Sequence, residues 1–256
     1  SSKQIFKKRG VLFTIPDKSI IAYGHNMSTE LTLKFQAAPA VLFLQTQLPA
    51  RMVVDLNRYM NARHNKGAES FADKLVGQIS HGEQLKMDQE DPLVQPFVQT
   101  VANLSQSYLG QFSRMIGVEP LKRIPNVHSL WSVHSYERDY NPVHDHGVDT
   151  IMGISFTTWT KIPKQIADGE EYKASALYNS SGVADGYLQF HFGQTGIRGL
   201  EELRPPFSKT VKPEVGKLYM FPSWCQHCVY PFEGDGERRT VAGNLNMVPH
   251  DYLGQD

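Results

Sequence analysis

The residues best equipped for chemistry are Asn141-Pro142-Val143-His144-Asp145-His146-Gly147, answered 83 residues after His144 by His227 within Ser223-Trp224-Cys225-Gln226-His227-Cys228-Val229-Tyr230-Pro231. Successive side chains of an extended strand point to opposite faces, so His144 and His146 share one face and Asp145 looks away. An extended reading of 226–232 places His227, Val229 and Pro231 on one face, which allows a third imidazole from a neighbouring strand. Three protein ligands on one side of a metal leave its other positions open for substrate or oxygen. A His-x-His pair alone is also met as two hydrogen-bonded histidines with no metal, so the flanking residues must carry the argument.

One such flank is the run Arg238 to Asn246. Read as extended, it puts Arg238, Thr240, Ala242, Asn244 and Asn246 on one face and Arg239 and Val241 on the other. If His227 and Arg238 both point inward, a buried guanidinium lies near the metal and needs a planar anion as partner. The cysteines, Cys225 and Cys228, are spaced C-x-x-C. Three-residue spacing on a strand sends the sulfurs to opposite faces, and no second pair completes a zinc site, so they read as two reduced thiols flanking His227.

The elements that must position these groups follow from pattern. Short apolar runs at 11–15, 20–23 and 41–44, broken by Pro16-Asp17 and Gly24, read as strands and turns. Met52, Val53, Leu56, Tyr59 and Met60 mark an amphipathic helix over 49–64 with Pro49 near its start. Residues 65–91 are polar and read as loop with short helix. A longer helix is predicted over 91–116, with Asp91 as cap, Pro92 in the first turn and Gly117 as terminator. After Pro125 the chain turns to short strands, predicted at 128–136, 143–146, 150–160, 173–178, 186–192, 209–211, 217–221, 226–232 and 238–248. Helices followed by many strands argue for an α+β, mainly β chain built as a sandwich or barrel. The expected organisation is a strand-rich N-terminal extension (1–48), a helical support region (49–124) and a catalytic core (125–256), all in one compact domain.

In order along the chain, Trp131-Ser132-Val133-His134-Ser135-Tyr136, His144-Asp145-His146, Gly153-Ile154-Ser155-Phe156, Gly216-Lys217-Leu218-Tyr219-Met220-Phe221-Pro222-Ser223-Trp224, His227, Arg238 eleven residues later, and Asn244 form a set. It resembles the iron(II)- and 2-oxoglutarate-dependent dioxygenases, in particular the prolyl-hydroxylase-like branch common in phages and bacteria. The resemblance runs from about Trp131 to Val248. It implies a double-stranded β-helix, or jelly roll, with Fe(II) in its mouth, 2-oxoglutarate chelating the metal, and O2 as oxidant. Carried over by position, His227 is the distal ligand and Arg238 grips the 5-carboxylate, with Arg239 as the alternative if the register slips by one. Tyr136 and Asn244 are further candidates for contact with the cosubstrate.

The sequence departs from the family where a carboxylate is usual two residues after the first histidine, since His146 stands there. Either His146 ligates and completes a neutral His144, His146, His227 set, or water takes the third place, or Asp149 reaches in. Asp145 becomes the ligand if the strand bulges. A third imidazole is favoured, because residues i and i+2 share a face. It leaves one more positive charge on the metal, which should tighten binding of a dianionic cosubstrate.

The implied activity is hydroxylation of an unidentified substrate, a prolyl or other peptidyl side chain being the leading guess, with release of succinate and CO2. Two other classes share the ligands: a three-histidine zinc hydrolase or lyase, which has no need of a cation beside its metal, and a non-catalytic jelly-roll binding module. Partners beyond the cosubstrate would be a peptide or protein. Basic and acidic residues balance at 26 each, which gives no overall signal for nucleic acid, and no run approaches the ~18 apolar residues of a membrane span. The chain reads as cytoplasmic, of the host if viral, and its oligomeric state is not legible.

Overall fold

The computed structural model describes residues 18–24, 27–33, 41–64, 68–147, 152–168, 184–193 and 208–249. The chain divides into two compact units, one formed by Ser1–Ala40 with Leu109–Leu121 and the other by Val41–Tyr108 with Lys122–Asp256. In the first, β1 (Lys18–Gly24) and β2 (Met27–Leu33) form an antiparallel hairpin. The predicted strand at 11–15 and that at 173–178 lie outside the described residues.

The larger unit carries two antiparallel sheets. The strands are β3 (Leu44–Gln47), β4 (Glu83–Lys86), β5 (Ile124–Ser135), β6 (Asn141–His144), β7 (Ile154–Lys161), β8 (Leu188–His191), β9 (Ser208–Val211), β10 (Lys217–Pro222), β11 (Gln226–Val229) and β12 (Arg238–Val248). One sheet runs β3-β10-β7-β12-β5-β4 and the other β6-β11-β8-β9. From β5 onward the strands alternate between the sheets except that β8 and β9 are neighbours in one, the order of a double-stranded β-helix, with β3 and β4 as added edges. Between the sheets Trp159, Leu188, Phe190, Val211, Tyr219, Phe221 and Cys225 form a buried core.

Helices cover the larger sheet. Of the residues read as the apolar face of α1 (Ala50–His64), Val53, Leu56, Tyr59 and Met60 are buried and Met52 is half-buried, while Val54 is 53% exposed. Asn57 of α1 donates to the Thr160 carbonyl of β7. Helix α2 (Gln95–Ile116) starts four residues later than predicted: Asp91 Oδ1 takes the Leu93 amide proton, and residues 92–94 form a turn before regular helix begins. Phe97, Val101 and Tyr108 line its buried stripe, continued by Val94 in the preceding turn, and Phe97 meets Phe156 of β7 edge-on at 5.9 Å. Gly117 ends the helix at φ +74°, a left-handed conformation that costs glycine little. A short α3 (Lys164–Ala167) follows β7. Strand β4 lies where loop is the sequence reading. Its residues Glu-Gln-Leu-Lys carry no apolar alternation, and it joins the sheet as an edge against β5.

Candidate active site

β6 and β11 pair so that His144 faces His227 directly across the ladder. That register places their rings 4.3 Å apart between centroids, and His146 closes the group at 5.0 Å from His144 and 5.2 Å from His227. One ligand nitrogen from each lies within 4.8 Å of the others. His146 stands two residues past the end of β6, yet its ring still meets that of His144 edge-on. Asp145 is exposed and its carboxylate accepts the Gly147 amide proton, so it faces away from the cluster. Asp149 lies outside the described residues.

The tautomers follow from the hydrogen bonds. His144 Nδ1 is 2.7 Å from the Pro142 carbonyl and His227 Nδ1 is 3.0 Å from the Cys225 carbonyl. A carbonyl only accepts, so both Nδ1 atoms carry the proton and both Nε2 lone pairs are free. Burial, then the proximity of His144, pushes His146 down to about 4. Burial first also lowers His144 and His227 below the ordinary histidine value. Around neutral pH the three rings are uncharged, the state in which imidazole binds a metal.

The cluster opens into a cavity of about 70 Å³ whose lining includes Trp131, Val133, Trp159, Leu188, Phe221 and Thr240. Arg238 is the charged residue of that lining. It is 2% exposed, and its donors go to neutral oxygens: Nη1 to the carbonyls of Gly186 and Tyr230, Nη2 to Ser135 Oγ. Its Nε is buried without a partner. Burial draws the guanidinium down to about 10, opposed by the charge of Asp139. That carboxylate is already occupied by the amides of Ser80, His81 and Tyr136. A buried cation with a free donor and no carboxylate bonded to it among the described residues is the complement of an anionic ligand.

Arg239 points the other way. It forms a two-point bond with Glu237 (Nε–Oε1 2.7 Å, Nη2–Oε2 2.9 Å) and donates to Asn57 and Asn61 of α1. The register therefore selects Arg238 as the inward residue. On the same outer face His134 Nδ1 lies 2.8 Å from Glu237 Oε1, and its Nε2 lies 3.1 Å from Ser132 Oγ. The Ser-His-Glu line has the order of a hydrolytic triad. With Ser132 2% exposed and outside the cavity lining, no substrate carbonyl reaches its hydroxyl.

Two sequence-derived cosubstrate candidates, Tyr136 and Asn244, lie off the cavity lining. Tyr136 follows the last residue of β5; burial first, then Glu237, raises its hydroxyl. It does not line the cavity. Asn244 also lies off the lining, and its amide oxygen accepts from Ser155 Oγ at 2.7 Å. The sequence reading missed the hydroxyls of Ser155 and Ser223, although both lie in its motifs. Cys225 and Cys228 are free thiols; burial pushes Cys225 up to about 11, which keeps it protonated.

The fold and cavity define a double-stranded β-helix with a cluster of metal-competent imidazoles at its mouth. Residues 129–244 match the family model described as "Putative 2OG-Fe(II) oxygenase". No curated protein matches the chain in sequence. Among solved structures, the carbocyclase SnoK of nogalamycin biosynthesis, titled a non-heme alpha ketoglutarate dependent enzyme, is 11% identical with a TM-score of 0.52, covering 84% of this chain and 85% of its own. HygX of Streptomyces hygroscopicus, solved with nickel and 2-oxoglutarate, is 8% identical with a TM-score of 0.52, covering 81% and 83%. A Pseudomonas putida prolyl-4-hydroxylase is 14% identical with a TM-score of 0.50, covering 81% and 93%. Residues 129–244 are thus similar to the 2OG-Fe(II) oxygenases, a family that works with Fe(II), 2-oxoglutarate and O2.

Proposed function

We propose that His144, His146 and His227 hold the Fe(II) of this oxygenase, that Arg238 receives the 5-carboxylate of 2-oxoglutarate, and that the substrate is a peptidyl side chain, with proline the first candidate. The observation that carries the reading is the pairing, in one cavity, of three neutral imidazoles with a buried guanidinium to which no carboxylate is bonded among the described residues. A zinc hydrolase has no use for that cation, whereas a dicarboxylate cosubstrate needs it. The donor set fits the metal: nitrogen ligands suit Fe(II), and the two proton-bearing Nδ1 atoms hold their rings with Nε2 free.

When bound, Fe(II) with 2-oxoglutarate and O2 supplies the oxidising power that converts a substrate C–H to C–OH, with succinate and CO2 as coproducts. The chain's part is binding and exclusion. Arg238 orients the cosubstrate through its distal carboxylate, and Val133, Leu188 and Phe221 keep the lining apolar, so charge inside is weakly screened. Support for a peptidyl substrate is the shared fold with a prolyl-4-hydroxylase, together with the family resemblance of the motifs.

The test is an anaerobic titration with Fe(II) and 2-oxoglutarate, following the weak visible charge-transfer band of the chelate. The band is expected to require both components and to weaken in His146→Ala and Arg238→Ala. Tight zinc binding with no band would remove the assignment. Proline-containing peptides incubated aerobically with the loaded enzyme are then expected to gain the mass of one oxygen, in step with succinate.

A further inference from the structure

His144 and His227 are held by the β6–β11 ladder and by their Nδ1 bonds, but His146 has neither support among the described residues. What fixes it is its backbone, whose N–H donates to the Ser223 carbonyl at 2.8 Å. Ser223 is in turn pinned at two points. Its N–H donates to the Gly153 carbonyl at 3.0 Å, and its Oγ lies 3.0 Å from Ser155 Oγ. Ser155 stands directly opposite Asn244 in the β7–β12 ladder, with its Oγ 2.7 Å from Asn244 Oδ1. An amide oxygen only accepts and each hydroxyl has one proton, so Ser155 donates to Asn244 and Ser223 donates to Ser155. The three residues are 8%, 2% and 1% exposed, which keeps water from replacing these bonds.

We propose that Asn244, Ser155 and Ser223 form a positioning relay that sets His146 in the third ligand position. The relay starts on β12, the strand that also carries Arg238, and so ties the placement of the third imidazole to the strand that grips the cosubstrate. It gives Asn244 a role other than contact with 2-oxoglutarate. It rests on the reading that His146 is a ligand.

The test is titration of the full chain with Co(II) alone, anaerobically and against a competing chelator, following the ligand-field bands. Ser155→Ala is expected to weaken Co(II) binding roughly 10- to 100-fold, the range usual for groups that orient a ligand. His146→Ala should weaken it at least as much. The deciding variant is His146→Ala/Ser155→Ala, expected to bind like His146→Ala alone, because a relay acting through His146 has nothing to orient once the ring is gone. If the two losses add, or Ser155→Ala binds like the parent, the relay is wrong while the ligand assignment stands. If His146→Ala binds like the parent, the ligand assignment itself fails. Asn244→Ala, which removes the acceptor and leaves both hydroxyls, is read in the same way if Ser155→Ala does not fold.

Discussion

At the scale of single residues the two adjacent arginines show how parity assigns work. Arg238 and Arg239 differ by one position, yet one enters the cavity and the other is clamped by Glu237, Asn57 and Asn61. Arg238→Met is expected to weaken 2-oxoglutarate binding at least ~30-fold, since losing one partner of a buried charge contact costs about 2–5 kcal/mol. Co(II) affinity should stay near the parent value, and calorimetric titration of each ligand separates the two effects. Glu237 acts on stability instead. Burial alone would raise its carboxyl, but hydrogen bonds from His134, Arg239 and Lys161 hold it well below the usual carboxylate range. Its stabilisation is thus fully present above the unfolded value of about 4.3 and is lost progressively as pH falls from there through the lower folded value. Glu237→Gln should cost about 3–5 kcal/mol at pH 7 by leaving Arg239 unpaired, with the gap from the parent narrowing in strong acid, as urea unfolding across pH would show. The three-histidine cluster was legible because histidines at strand spacing, answered by a third on a neighbouring strand, are rare enough to notice. The roles of Ser155 and Ser223 were not, since a serine hydroxyl takes meaning only from what the register sets beside it.

Among the elements, α2 was legible through its period and β12 through its alternation, the latter to the residue. Both are long, and a long pattern outweighs local noise. β4 was not, because an edge strand with polar residues on both faces has no such pattern. It is nonetheless tightly docked: a Cβ on Gly82, just before it, would fall 1.7 Å from the His134 carbonyl oxygen. Gly82→Ala is therefore expected to displace β4 from β5, read as loss of slow amide exchange in 83–86. On the other side of the sheet, Phe97→Ala removes the α2 ring that meets Phe156 and should cost about 3–5 kcal/mol in chemical denaturation.

For the molecule as a whole, the fold class followed from the count and brevity of strands, whereas the strand order within each sheet needed long-range pairings that no local pattern contains. No helix among the described residues is long and apolar enough to cross a membrane. Because the three histidines come from two stretches far apart in sequence, metal binding at them would be linked to folding. A metal at about 100 times its Kd should add about 2.7 kcal/mol and raise the Tm by several degrees, an increment absent from His144→Ala/His227→Ala.

The indole of Trp131 lies 5.7 Å from the His146 ring, and of the chain's three tryptophans only Trp224 is largely exposed. A paramagnetic ion among the imidazoles would sit within quenching range of Trp131. The protein thus carries its own fluorophore beside the imidazole cluster, and the emission of unlabelled protein would gauge occupancy: dimmed by Co(II) or Fe(II), restored by chelator, and less responsive to metal in Trp131→Phe.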